Sequence, residues 1–79
     1  MISAYVLAKI EAGEERVALE KIRVMEGVEK ARTTFGRWDL VIEVNFESIG
    51  DLDRFVFQEL RIIPQVKESM TVIVSEEMR

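Results

Sequence analysis

Thr33-Thr34-Phe35-Gly36-Arg37-Trp38-Asp39 gathers two hydroxyls, a glycine, a guanidinium, an indole and a carboxylate within seven positions. A glycine in such a segment permits positive φ and exposes backbone amides. A carboxylate and an aromatic ring beside exposed amides can hold a small zwitterion. The acid takes an ammonium, the amides take a carboxylate, and the ring takes a side chain. The plainer alternative is a hairpin turn of ordinary turn residues with a half-buried Trp, in which Arg37 is solvated and Asp39 only braces the turn. Glu68-Ser69-Met70-Thr71 is the second polar stretch among apolar neighbours. It supplies hydroxyl donors, or it only keeps an edge strand soluble.

Other chemistry is excluded by composition. With no Cys and no His, the chain has no disulfide, no Cys/His zinc site, no Ser-His or Cys-His nucleophile and no imidazole acid–base group. Gly36 is isolated, so no phosphate loop is present. Glu14/Glu15 and Glu76/Glu77 read as solvated acids, and Asp51 and Asp53 as caps of a helix start. Neither a metal nor a cofactor is expected. The net charge of −4 argues against direct nucleic-acid binding. Any role in transcription is therefore expected to run through a partner protein. No apolar run reaches membrane-spanning length and no signal peptide is evident, so a cytoplasmic protein without membrane contact is expected.

The elements that must position these residues follow from periodicity. Ile2 to Ile10 is apolar on both alternating faces, as in a covered strand. Val17, Ala18, Ile22 and Met25 give helical spacing from Glu14 onward, ended by Gly27. Val28–Phe35 and Trp38–Phe46 read as two strands of an antiparallel hairpin around a short Gly36-Arg37 turn. In the first, Val28, Lys30, Arg32 and Thr34 are expected on one face, and Glu29, Ala31, Thr33 and Phe35 on the other. Leu52, Phe55, Val56, Leu60 and Ile63 mark a second helix, begun at Ser48 or Asp51 and stopped by Pro64. Gln65–Ser75 is the last strand, with Val66, Met70, Val72 and Val74 on one face, and residues 76–79 form a polar tail.

The two halves match at an offset of about 38 residues, Val6 with Val44, Ala18 with Val56, Ile22 with Leu60 and Val28 with Val66. That pattern predicts an α+β, ferredoxin-like βαββαβ sandwich: a four-stranded antiparallel sheet with two helices on one face. All of residues 1–79 belong to one domain on this reading. The other sheet face would carry Tyr5, Leu7, Val41 and Ile73. An apolar sheet face on a chain of 79 residues predicts a homo-oligomer.

In their order, Gly27-Val28, Gly36-Arg37-Trp38-Asp39, Leu40-Val41-Ile42-Glu43-Val44, Pro64-Gln65-Val66 and Ser69-Met70-Thr71-Val72-Ile73-Val74 resemble the effector-binding RAM domain of the Lrp/AsnC (feast/famine) transcription regulators. The resemblance covers residues 2–75 and departs at Gln65, where the family often has glycine. It implies a dimeric α+β barrel, further assembly into octamer-like rings, and small effectors, commonly amino acids, bound between dimers. It also implies a stand-alone form without the family's helix-turn-helix. Carried over, it marks Gly36, Trp38 and Asp39 as effector contacts, with Ser69 and Thr71 from the last strand. The expected ligand-binding set is thus Thr34, Gly36, Arg37, Trp38, Asp39, Ser69 and Thr71, and no catalytic residue is expected. Two other readings stand beside it. One is an enzyme of the monooxygenase or isomerase type found in dimeric α+β barrels. The other is a structural partner of a full-length regulator.

Overall fold

The computed structural model describes residues 1–77; Met78 and Arg79, the end of the expected polar tail, lie outside them. The elements run β1 (Ile2–Ile10), α1 (Glu15–Ile22), β2 (Val28–Thr33), β3 (Leu40–Phe46), α2 (Ile49–Arg54), a π-helical segment (Phe55–Leu60) and β4 (Val66–Ile73). The strands form one antiparallel sheet in the order β2-β3-β1-β4. This is the βαββαβ arrangement predicted from the repeat.

The core lies between the sheet and the helices. Ala4, Val6, Ala8 and Ile10 of β1 and Leu40, Ile42 and Val44 of β3 face Ala18 and Ile22 of α1 and Leu52, Phe55, Val56 and Leu60 of the second helical stretch. The residue pairs of the internal repeat occupy equivalent places: Val6 and Val44, Ala18 and Val56, and Ile22 and Leu60 are all buried.

Both helices differ from the periodicity-based expectation at their ends. Hydrogen bonding in α1 stops with Arg23 N–H to the Leu19 carbonyl. The chain then tightens through Met25 N–H to Ile22 O and Val28 N–H to Met25 O. Gly27 therefore serves the entry to β2 rather than the helix end. Ser48 caps α2, its Oγ accepting the Asp51 N–H at 3.1 Å, while the Asp51 carboxylate pairs with Arg54. Past Arg54 the helix widens, and Arg61 N–H reaches the Val56 carbonyl five residues back. The equivalent bond in the first half spans four residues. The widened turn is thus an insertion-like feature of the second half alone, and the apolar spacing does not reveal it.

Two β-bulges revise the strand faces. Val28 pairs with Val44 and Lys30 with Glu43, which leaves Glu29 as an extra residue. Val28 and Ala31 consequently both pack on the core. Ile10 pairs with Val66 and Lys9 with Glu68, which leaves Lys67 extra. Strict alternation fails across each bulge because one residue is left unpaired. Opposed residues share a face, so Met70 and Val72, paired with Leu7 and Tyr5, lie on the open face. Ile73, paired with Ala4, lies on the helix side; this reverses its expected place. The two bulges occupy the same position in the two halves of the repeat.

The face away from the helices holds Tyr5, Leu7, Val41, Met70 and Val72 at its centre, with Lys9, Lys30, Arg32 and Glu43 around them. Beside them Ser3 Oγ donates to Asn45 Oδ1 at 2.6 Å. Tyr5, Met70 and Val72 are each more than two-fifths exposed.

Candidate functional site

β1 and β3 are antiparallel, with Ala8 opposite Leu40. The end of β1, the start of α1 and the β2–β3 connection therefore gather at one end of the sheet. The connection is longer than expected. β2 stops at Thr33 and β3 begins at Leu40, so residues 34–39 form a loop rather than a two-residue turn. Thr34 closes it twice. Its N–H donates to the Asp39 carbonyl at 2.9 Å, and its Oγ1 donates to the Trp38 carbonyl at 2.7 Å. Gly36 sits at the tip with φ of 119°, which a residue bearing a Cβ rarely adopts.

Asp39 ties this loop to the neighbouring strand. Its N–H donates to the Ala8 carbonyl at 2.9 Å, and its Oδ2 accepts the Ile10 N–H at 2.8 Å. The carboxylate thus satisfies a backbone donor where β1 leaves the ladder. A carboxylate can accept at both oxygens, and Oδ1 takes no hydrogen bond among the described residues.

A cleft of about 370 Å³ opens between the loop and the start of α1, lined by Glu15, Thr33, Thr34, Phe35, Gly36 and Asp39. That volume is at the small end of the roughly 300–1,000 Å³ range of small-molecule sites. Of the expected residues, it brings together Thr34, Gly36 and Asp39. Trp38 and Arg37 do not line it. The Arg37 guanidinium lies over the Trp38 ring, 5.9 Å from its centroid. Phe35, fully exposed, is the aromatic surface beside the cleft instead.

Ser69 and Thr71 stand elsewhere within the same chain. They lie on edge strand β4, separated from β3 by β1. Ser69 Oγ accepts from Arg61 Nε at 3.2 Å, and Arg61 in turn lies over the Phe57 ring at 4.5 Å. Thr71 lines a separate cleft of about 290 Å³ with Leu52, Val56, Phe57 and Ile73.

Glu15, Thr33 and Phe35 are the members that sequence reasoning missed. Glu15 had the look of a solvated acid, but it is half-buried and faces the cleft. The available signal was topological: a βαββαβ chain puts the first turn of α1 beside the β2–β3 connection. A further cleft of about 340 Å³ lies at the opposite end of β3, near Gly27, Phe46 and Arg54. Its Arg54 is already paired with Asp51 at 2.9 Å. Among the described residues, no group of three or more acids is placed to hold a metal ion, and no helix is long and apolar enough to cross a membrane.

Known proteins share this architecture. The crystal structure of FFRP-DM1 is 32% identical, with 94% of this chain and 99% of that chain covered, at a TM-score of 0.90. The hypothetical protein PHS023 from Pyrococcus horikoshii is also 32% identical, with 98% of this chain and 93% of that chain covered, at a TM-score of 0.89. The transcriptional regulator NMB0573 of Neisseria meningitidis, solved as a complex with L-Met, is 19% identical. There the match covers 99% of this chain and 52% of that chain, at a TM-score of 0.89, a likeness of fold. No curated protein matches the chain at a significant level. The family model for the Lrp/AsnC ligand binding domain matches residues 3–79, a span that takes in the sheet from Ser3 onward, both helices and the hairpin cleft: the chain belongs to the Lrp/AsnC family.

Proposed function

We propose that the chain is an amino-acid sensing module that takes its effector at the hairpin cleft and works as a homo-oligomer. The observation that carries this reading is Asp39. One of its oxygens is held by the Ile10 N–H, which fixes the carboxylate in place, and the other is left for a ligand ammonium. The amides around Gly36 serve the ligand carboxylate, and Phe35 borders its side chain. Thr34 holds the loop in shape. Arg37, stacked on Trp38, stiffens it, and Ser69 and Thr71 complete the site from a second copy. The fold itself is compatible with such a ligand, since the similarly folded NMB0573 is a complex with L-Met. The oligomer forms through the open sheet face. Its effect on transcription is exerted through contact with a full-length regulator of the same family.

A thermal-shift screen of the free amino acids is the test, because a ligand that binds only the folded state raises its stability by mass action. At least one amino acid should raise the melting temperature in a concentration-dependent way. Asp39→Asn keeps the acceptor for the Ile10 N–H and removes the charge. It should weaken that ligand by about ten- to a hundredfold, since a hydrogen bond to a charged group contributes about 1.5–3 kcal/mol. A lower melting temperature with unchanged ligand affinity would show that Asp39 only braces the loop.

A further inference from the structure

We infer that the effector carries a second positive charge, so that the cleft selects amino acids with a cationic side chain over their neutral counterparts. This rests on the reading of the hairpin cleft as an amino-acid site and concerns its specificity.

The charged side chains lining the cleft are Glu15 and Asp39, both acids; no Lys or Arg lines it. Arg37, the nearest base in the loop, lies over the Trp38 ring. Glu15 forms no ion pair among the described residues, whose pairs are Arg23 with Glu20, Arg54 with Asp51, and Lys67 with Glu11. A neutral amino acid offers one ammonium, which Asp39 accepts. Its carboxylate must then enter a cleft that still holds the Glu15 carboxylate, which has no ion-pair partner among the described residues. Like charges brought together in a partly desolvated site oppose binding. A side-chain ammonium or guanidinium opposite Glu15 removes that opposition and adds a charge-assisted hydrogen bond. An acidic side chain would bring a third negative charge. The two carboxylates are too few for a divalent-cation site, whereas they match the two cations of a dibasic amino acid. The net charge of −4 favours approach of such ligands over anionic ones.

Titration calorimetry on the full chain tests this with paired probes: L-arginine against L-citrulline, L-lysine against L-norleucine, and L-glutamate. Arginine or lysine should bind at least about tenfold more tightly than its neutral counterpart, one charged contact being enough for that ratio, and glutamate should give no saturable heat. Glu15→Gln should erase the preference from both sides, weakening the cationic ligand and tightening the neutral one, because the opposition to its carboxylate goes with the Glu15 charge. Asp39→Asn should weaken both. The retained affinity for the neutral probe shows in the same experiment that Glu15→Gln is folded. If citrulline and norleucine match arginine and lysine, the charge inference is overturned and the amino-acid reading stands. If none of the five probes, nor any other amino acid, binds, both are overturned.

Discussion

Leu7→Lys should convert the protein from an assembly of at least two 9.1-kDa chains into monomers. Leu7 lies at the centre of the open sheet face, with Val41 on one side and Met70 on the other. Among the described residues the helices cover one sheet face, and no element covers the second. Apolar side chains at the middle of that face are shielded only if another sheet packs on them. An unpaired ammonium at such a seam costs about 3–5 kcal/mol, which raises the dimer dissociation constant roughly a thousandfold. Light scattering at micromolar concentration should therefore report the monomer mass for Leu7→Lys. The bulge at Lys67 sharpens the test. Val72→Lys, on the open face, should also split the assembly, whereas Ile73→Lys, on the helix side, should leave it intact. Wild-type protein that runs as a well-folded monomer would overturn the proposed assembly.

Gly27→Ala should produce the largest loss of folding stability of any single-methyl change in the chain. Gly27 holds φ of 91°, and a Cβ built there would overlap the Phe46 ring. The ring cannot retreat freely, because it packs on the buried Phe55 with centroids 5.3 Å apart. The backbone at Gly27 is also fixed, since its carbonyl accepts the Asn45 N–H at 2.9 Å. A disfavoured φ costs about 1–3 kcal/mol and overpacking about 1–3 kcal/mol more. Against the roughly 4–12 kcal/mol expected for a domain of this size, such a loss is severe. Urea unfolding should show a drop of at least about 2 kcal/mol. In a double-mutant cycle with Phe46→Leu, part of that loss should disappear, because the smaller side chain relieves the overlap. Additive losses would show that the ring is not the obstacle.

What the sequence revealed and what it hid divide along physical lines. Long apolar stretches with a clear period, such as Ile2–Ile10 and Leu40–Phe46, fixed the strands, because burial on one face acts on every second residue. The repeat pairing Ile22 with Leu60 gave the topology, since both are fully buried at equivalent helix ends. The faces of β2 and β4 were misread because an extra residue at Glu29 or Lys67 leaves no compositional trace while reversing everything after it. The π-helical turn at Phe55–Leu60 was hidden in the same way: its apolar positions fit an ordinary helix nearly as well.

At the candidate site, Gly36 and Asp39 were legible because a positive-φ glycine and a nearby acid are local signals. Glu15 was not, because it reaches the cleft only through the packing of α1 against the sheet. Gln65 shows a departure with a structural result. It takes the place of Gly27 in the second half without the positive φ of that glycine, yet the turn keeps the same hydrogen bond, Val66 N–H to the Ile63 carbonyl as Val28 N–H to the Met25 carbonyl.

An amino acid seated in the hairpin cleft must perturb the backbone amides that line it. Amide chemical shifts of the ¹⁵N-labelled protein, titrated with the amino acid that stabilises it most, test this directly. The largest and saturable shifts should fall on Thr34 to Asp39 and on Ile10, whose N–H is bonded to the Asp39 carboxylate. Shifts confined to Gly27, Phe46 and Arg54 at the other end of the sheet, or none at all with any amino acid, would contradict it.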